Sequence, residues 1–469
     1  MRARAIAALI AAAAITMAAP MSADLCTIEA TPAATLLLPY FEVNIDDPTG
    51  VDTFISINNA SSESILTHVV VWTDMSVEAL DFNVYLTGYD VQTIAMGMAI
   101  RDGILPRTDN ANSVSPLGPY SDGHVNFPAC TMMPYTNPAL SPEFLDHLQS
   151  ILTGGPSDIY GGDCGGYDHG DNIARGYVTI DHTNDCTLLT PCDEGYFWTG
   201  DPTVPSGLAA YENVLWGDWY MIDYANNFAQ GDTLVHLEAD TTLDPLGALI
   251  SGTFYNRCTP IFNSPFPDYR EPLPTTFATR FYQNAAFSGG TDFLVWRDSL
   301  YVPTAGFSCS SGPNWYPITQ RQAVFFDEAE NPEALCTISP CPEEEILFPI
   351  EAQRVGVGEL AITPQSGWAY FNLNQSGDAW GLSAEAVAGG AWITAVHSAE
   401  GRFSAGLPAI QLDSFCDNAS IVIGEAGPDY PAEDVVYNYF NSYYYYPGGA
   451  VPVARPNPDQ TPRGWRNAE

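Results

Sequence analysis

Short runs in which apolar and polar residues alternate recur along most of the chain, and this period-two pattern limits what it can fold into. Examples are TFISINN (53–59), THVVVWTD (67–74), FNVYLTGYDVQTI (82–94), GYVTIDHT (176–183) and TLVHLEA (233–239). Successive side chains of a strand point to opposite faces, so each run can bury one face and leave the other polar. The 39 Gly and 37 Pro interrupt the runs at short intervals, as the turns of an all-β sandwich or barrel require. One short helix is predicted. Ser141 is its N-cap, Pro142 its first residue, and Phe144, Leu145, Leu148, Ile151 and Leu152 mark one face before Gly154 and Gly155 stop it.

The chain also repeats itself. PYFEV…DTFISINN (39–59) matches TRFYQ…TDFLVWRD (279–298), and FNVYLTGYDVQTI matches EILFPIEAQRVGVGELAI (345–362). GYVTIDHTND (176–185) matches GWAYFNLNQS (367–376), and LWGDWYMIDY (215–224) matches AWGLSAEAVA (379–388). The order is the same in both halves, with surplus length in the first. The expected fold is therefore two tandem related β-sandwich (immunoglobulin-like) domains, 24–250 and 251–446. The first carries a loop and helix insertion at about 107–174. A Pro-rich tail, 447–469, is expected to be disordered, and the Tyr run before it to close the second domain as an edge strand or to form a sticky exposed strand.

Residues 1–23 read as a signal peptide: Arg2 and Arg4, then an apolar stretch from Ala5 to Ala19, then small residues up to Ala23. Leu25 before Cys26 argues against a lipid anchor. No other stretch approaches the ~18 apolar residues of a membrane span, so no membrane insertion is expected. The mature chain is expected to be secreted, periplasmic or extracellular. Lys and Arg together number 15 against 56 Asp and Glu, for a net charge of −41, and no lysine is present. Such a chain cannot neutralise a run of phosphates, which excludes nucleic acid as a partner.

Ten cysteines in an exported chain favour disulfides over metal thiolates. Cys186/Cys192 and Cys336/Cys341 look like local staples, and Cys258/Cys309 and Cys130/Cys164 are further expected pairs.

The densest set of chemically active side chains is GGDCGGYDHGDNIARGYVTIDHTND (161–185). Asp163, Asp168, Asp171, Asp181 and Asp185 on a Gly-rich loop offer hard oxygen ligands, which suit calcium. Their spacing is not that of an EF-hand. His169 and His182 would suit zinc or copper instead, and a solvated acidic loop is the alternative without metal. No G-x-S-x-G or H-E-x-x-H motif is present. His68, His236 and His397 lie in alternating runs and read as hydrogen-bonded sheet residues. Glu212, Asp218 and Asp223 lie among Tyr211, Trp216, Trp219, Tyr220 and Tyr224, a mixture used by sugar sites and by sandwich cores alike.

LLPYFEVN, HVVVWTD with DFNVYLTGYDV, ARGYVTID and WGDWYMIDYANNFAQGDTLVHLEAD resemble a group of exported bacterial proteins with no assigned function. The resemblance covers most of the mature chain. It implies export and an all-β fold, and it carries over no catalytic residue. The expected function is non-catalytic interaction with an extracellular or surface partner. The alternative is a secreted carbohydrate-active hydrolase using acids near 211–224.

Overall fold

The computed structural model describes residues 31–106, 139–197, 207–240 and, with breaks, 253–411. The first half contains β1 (Thr35–Asn44), β2 (Val51–Asn59), β3 (Ile65–Thr73), β4 (Glu78–Leu86) and β5 (Val91–Ala95). After β5 come the short helices α1 (Met96–Ile100) and α2 (Pro142–Leu152), and the two-residue strands β6 (Pro156–Ser157) and β7 (Asp163–Cys164). The half ends with β8 (Ile173–Thr183), β9 (Leu215–Asp223), β10 (Phe228–Thr233) and β11 (Val235–Leu237). The second contains β12 (Thr276–Asn284), β13 (Gly289–Arg297), β14 (Gln322–Asp327), β15 (Pro332–Ala334) and β16 (Ala352–Gly356). It continues with β17 (Ser366–Asn372), β18 (Ala391–Ala399), β19 (Phe403–Pro408) and β20 (Ile410–Gln411). The fold is all-β, and its paired strands run antiparallel.

The strands of the first half form two large sheets, ordered β11-β1-β8-β3-β4 and β10-β9-β2-β5, and the small β6-β7 ribbon. In the second half the ladders run β20-β12-β17-β14-β15 and β19-β18-β13-β16, joined where Gln283 and Asn284 pair with Gly290 and Gly289. The two orders are the same, strand for strand. The registers agree too. Val51–Asn59 runs against Asp223–Leu215, as Gly289–Arg297 runs against Ala399–Ala391. Thr35 faces Asp181 as Thr276 faces Asn372.

One glycine recurs with its surroundings. Gly176 lies opposite Phe41 and against the Trp72 carbonyl, and Gly367 lies opposite Phe281 and against the Phe326 carbonyl. Neither site has room for a Cβ, so GYVTID and GWAYFN are equivalent strands for a steric reason.

Two of the sequence matches are displaced. The strand equivalent to 215–223 is Ala391–Ala399, whereas 379–388 lies outside the described residues. DTFISINN and TDFLVWRD align one residue out of the structural register. A one-residue slip moves every side chain to the other face, so Phe54 corresponds to Asp292 and not to Phe293.

Helix α2 starts as its sequence predicts. Ser141 Oγ accepts the Phe144 N–H at 3.2 Å and Pro142 opens the helix, with Leu148, Ile151 and Leu152 buried. Helix α1, five residues long, is too short to leave a periodic signal in the sequence.

Burial differs between the sheets. Every residue of β3 is buried, because its sheet is covered on both faces. Inward, Val69, Val71, Phe82 and Ile180 pack into the first core. Outward, the sheet meets the second half. Leu294, Trp296, Ala352 and Val396 belong to the same apolar cluster as the first-half core. Trp296 packs edge-on against Tyr177, with ring centroids 5.8 Å apart. Arg354 reaches both Asp292 and, at 3.2 Å, Glu42 across the junction. The second core is rich in phenylalanine: Phe371 meets Phe293, Phe325 and Phe348 edge to face at 5.2–5.8 Å. Such offset geometry adds about 0.5–1.5 kcal/mol per pair beyond burial.

The disulfides correct the expected pairing. Cys164 bonds Cys309 and Cys192 bonds Cys258, so Cys186/Cys192, Cys258/Cys309 and Cys130/Cys164 are not pairs. Cys336 and Cys341 lie outside the described residues. Both bridges tie the first-half excursions to chain that follows β11. Proximity in sequence misled because the long excursions fold back over a sheet built from distant strands.

Candidate functional site

The five aspartates proposed as calcium ligands occupy different environments. Asp181 sits in the middle of β8 and is buried. Its carboxylate accepts hydrogen bonds from Thr35, from Tyr196 at 2.6 Å and from Tyr255 at 3.0 Å, with the Arg270 guanidinium 3.6 Å away. Asp171 takes two hydrogen bonds from Arg175, at 2.6 and 2.8 Å. These bonds hold its carboxyl below the ordinary range. Asp168 accepts the Gly170 N–H and Asp185 that of Cys186, while Asp163 is exposed on β7. His169 bonds Asp74 at 2.9 Å, and His182 lies 3.5 Å from Glu212. Among the described residues no three His, Cys, Asp or Glu side chains gather closely enough to hold a metal ion.

The acids of the aromatic stretch also separate. Glu212 faces His182 beside the five-stranded sheet. Asp218 points outward from the four-stranded sheet. Asp223 is bonded to the Asn226 amide in the following turn.

The histidines behave unequally. Nδ1 of His236 meets the Thr31 carbonyl at 2.6 Å, and Nδ1 of His397 meets the Thr291 hydroxyl at 2.8 Å, as expected for sheet residues. His68 is different. Neither of its buried ring nitrogens finds a partner in hydrogen-bond geometry among the described residues. Burial pushes its pKa down to about 4, and Asp81 stands 3.8 Å away. Asp81 and Glu78 are themselves raised to about 7, by burial first and then by neighbouring carboxylates. The sequence did not reveal this cluster, because Asp193 comes to β4 from a distant loop.

An accessible arrangement of aromatic and polar side chains lies on the outer face of β10-β9-β2-β5. Burial alternates along β9, so Trp216, Asp218, Tyr220 and Ile222 face away from the core. The register turns them into rungs. Trp216 lies beside Asn58, which lies beside Val91; Asp218 beside Ser56, then Thr93; Tyr220 beside Phe54, then Ala95. An aromatic rung, a polar rung and a second aromatic rung thus follow one another. Trp216 is 42% and Tyr220 52% exposed, and Tyr224 beyond the strand end is 66% exposed.

The middle rung is internally bonded. Asn58 donates to Ser56 Oγ at 3.0 Å and Ser56 donates to Asp218 at 2.9 Å. The Tyr220 ring lies across Gly231 on β10, where a Cβ would overlap it at 2.6 Å. The Cδ1–Cε1 side of the ring therefore lies over Gly231, in space that a side chain there would fill.

A small opening between the halves, lined by Trp72, Tyr177, Phe254, Arg257 and Trp296, has space for roughly one water. It is too small for an organic ligand.

The chain matches no protein-family model, no curated protein and no solved structure.

Proposed function

We propose that this is a secreted, disulfide-stapled interaction protein that works without catalysis, through the open outer face of its four-stranded sheet. Two disulfides among the described residues fit an oxidising compartment. No helix among those residues is long and apolar enough to cross a membrane. One observation carries the reading. Trp216 and Tyr220 stand outward on one strand, flanking a bonded polar rung, on a surface that the rest of the described fold does not cover. Exposed aromatics grouped on a flat face mark contact sites, because they bring large area at little cost in side-chain freedom.

The hydrolase reading needs paired carboxylates across a cleft. Glu212, Asp218 and Asp223 are spread over three surroundings, so the interaction reading has the better support.

The test is co-sedimentation of labelled protein with cell-envelope and extracellular-matrix fractions, comparing the parent with Trp216→Ala/Tyr220→Ala. The parent should bind at least one fraction saturably, and the double variant, with unchanged melting temperature, should stay in solution. Equal binding by both would reject this face. Turnover of chromogenic glycosides that is lost in Asp218→Asn would favour the hydrolase.

A further inference from the structure

We infer that the ligand of this face is a neutral polysaccharide chain, stacked on Trp216 and Tyr220 and hydrogen-bonded by the rung between them. This rests on the reading above and adds the chemistry of the partner.

The two halves supply an internal comparison. The equivalent face of the second half, on β18-β13-β16, is the one that packs against the first half. Its residues suit permanent burial: Leu294 stands where Ser56 does, Trp296 where Asn58 does, and Val396 where Tyr220 does. Thr394 stands where Asp218 does. The one aromatic kept in both is Trp216, matched by Trp392. The open face thus places the Asp218–Ser56–Thr93 rung between Trp216 on one side and Tyr220 with Phe54 on the other. The buried junction face instead sets Leu294, Trp296, Ala352 and Val396 beside the Asp292–Arg354 ion pair.

Separate rings with a polar strip between them fit a ligand that is itself alternately apolar and polar. A pyranose ring presents C–H bonds on its flat face and hydroxyls at its edge. Aromatic rings take the flat face, and Asp218, Ser56 and Thr93 can exchange hydrogen bonds with the edge, while buried Asn58 braces Ser56 from behind. Four residues of strand separate Trp216 from Tyr220 by about 13–14 Å, a span of a few linked sugars. An open, groove-free face receives the side of a long chain better than its end. The charge narrows the class: with a net charge of −41 and no lysine, an anionic polysaccharide is repelled.

The probes are soluble neutral polymers (hydroxyethyl cellulose, laminarin, galactomannan, dextran and starch), with alginate as the anionic comparison. Each is cast into native gels, and an array of neutral oligosaccharides is read in parallel. At least one neutral polymer should retard the parent, and alginate should not. Trp216→Ala and Tyr220→Ala should each weaken retardation by tenfold or more. Trp216→Phe should retain most of it, and Leu188→Ala, an exposed change elsewhere, should retain all of it. Thermal melts confirm that each variant is folded. No retardation together with a blank array overturns the inference. If the double variant still loses envelope or matrix binding in that case, the face remains a contact site and its partner is a protein. Binding to alginate, or retardation that survives loss of both rings, also overturns it.

Discussion

Trp216 and Trp392 occupy the same rung of the same strand in the two halves, yet one is open to solvent and the other packs into the junction between them. Identical backbone registers thus carry opposite surface roles, and the neighbours decide which. Around Trp392 they are a second indole, Trp296, with Thr394 and Leu294 on the next rung. Around Trp216 they are amide, hydroxyl and carboxylate.

The position of the Tyr220 ring depends on Gly231. In Gly231→Ala the new methyl must displace the ring, which is the flexible partner, although the Trp219 carbonyl at 2.8 Å also crowds it. Stability should fall by about 1 kcal/mol or more, because the backbone carbonyl must also shift. Ligand retardation should fall several-fold. A variant that binds as the parent does would show that the ring need not lie over Gly231.

Glu78 and Asp81 should make stability fall as pH rises. Their pKa values, raised to about 7, mean that the folded chain holds these protons more tightly than the unfolded chain. The contribution is complete below about pH 4 and is lost as pH climbs through 7. His68, pushed down to about 4, acts in the opposite sense, losing stability as pH falls below its ordinary value. Asp81→Asn isolates the acid. It should stabilise the protein at pH 8 by roughly 2–4 kcal/mol and change little at pH 4. Denaturant melts at both values measure this, and an equal effect at each would contradict it.

Arg297 is buried and donates to the carbonyls of Ile318, Thr319, Phe348 and Leu373 at 2.7–3.2 Å. Burial lowers its pKa to about 9. Arg297→Met keeps the volume but leaves those carbonyls without donors, and should cost at least about 3 kcal/mol. Arg354→Met, at the half-exposed junction, should cost less. Similar losses in chemical melts would mean that the four carbonyls find other donors.

Replacing Cys164 and Cys309 together by alanine opens a loop with a sequence separation of 145. Chain entropy gives a loss of about 5 kcal/mol. Comparison of oxidised parent and double variant by urea melts measures it. A loss under 1 kcal/mol would mean that the packed junction alone fixes the two ends.

What the sequence disclosed was local chemistry. The cap at Ser141 and the pair GYVTID and GWAYFN were legible because each is set by backbone sterics within a few residues. The sequence showed acids lying among aromatics at 211–224, but not that Trp216, Asp218 and Tyr220 share an open face: that depends on what the other half covers. Asp181 looked like one more loop acid because its hydroxyl and guanidinium partners, Thr35, Tyr255 and Arg270, come from remote chain. The cysteine partners were hidden for the same reason.

The bridge from Cys164 to Cys309 also sets how the molecule carries a mechanical load. Tension applied between the start of β1 and the end of β20 passes from residue 164 to residue 309 through the covalent link, bypassing everything between them. β9 and β10 lie inside that bypassed loop. The strands bearing Trp216, Tyr220 and Gly231 are therefore held out of the line of force, and stretching the chain would peel β1 to β5 or β14 to β20 before it reached them.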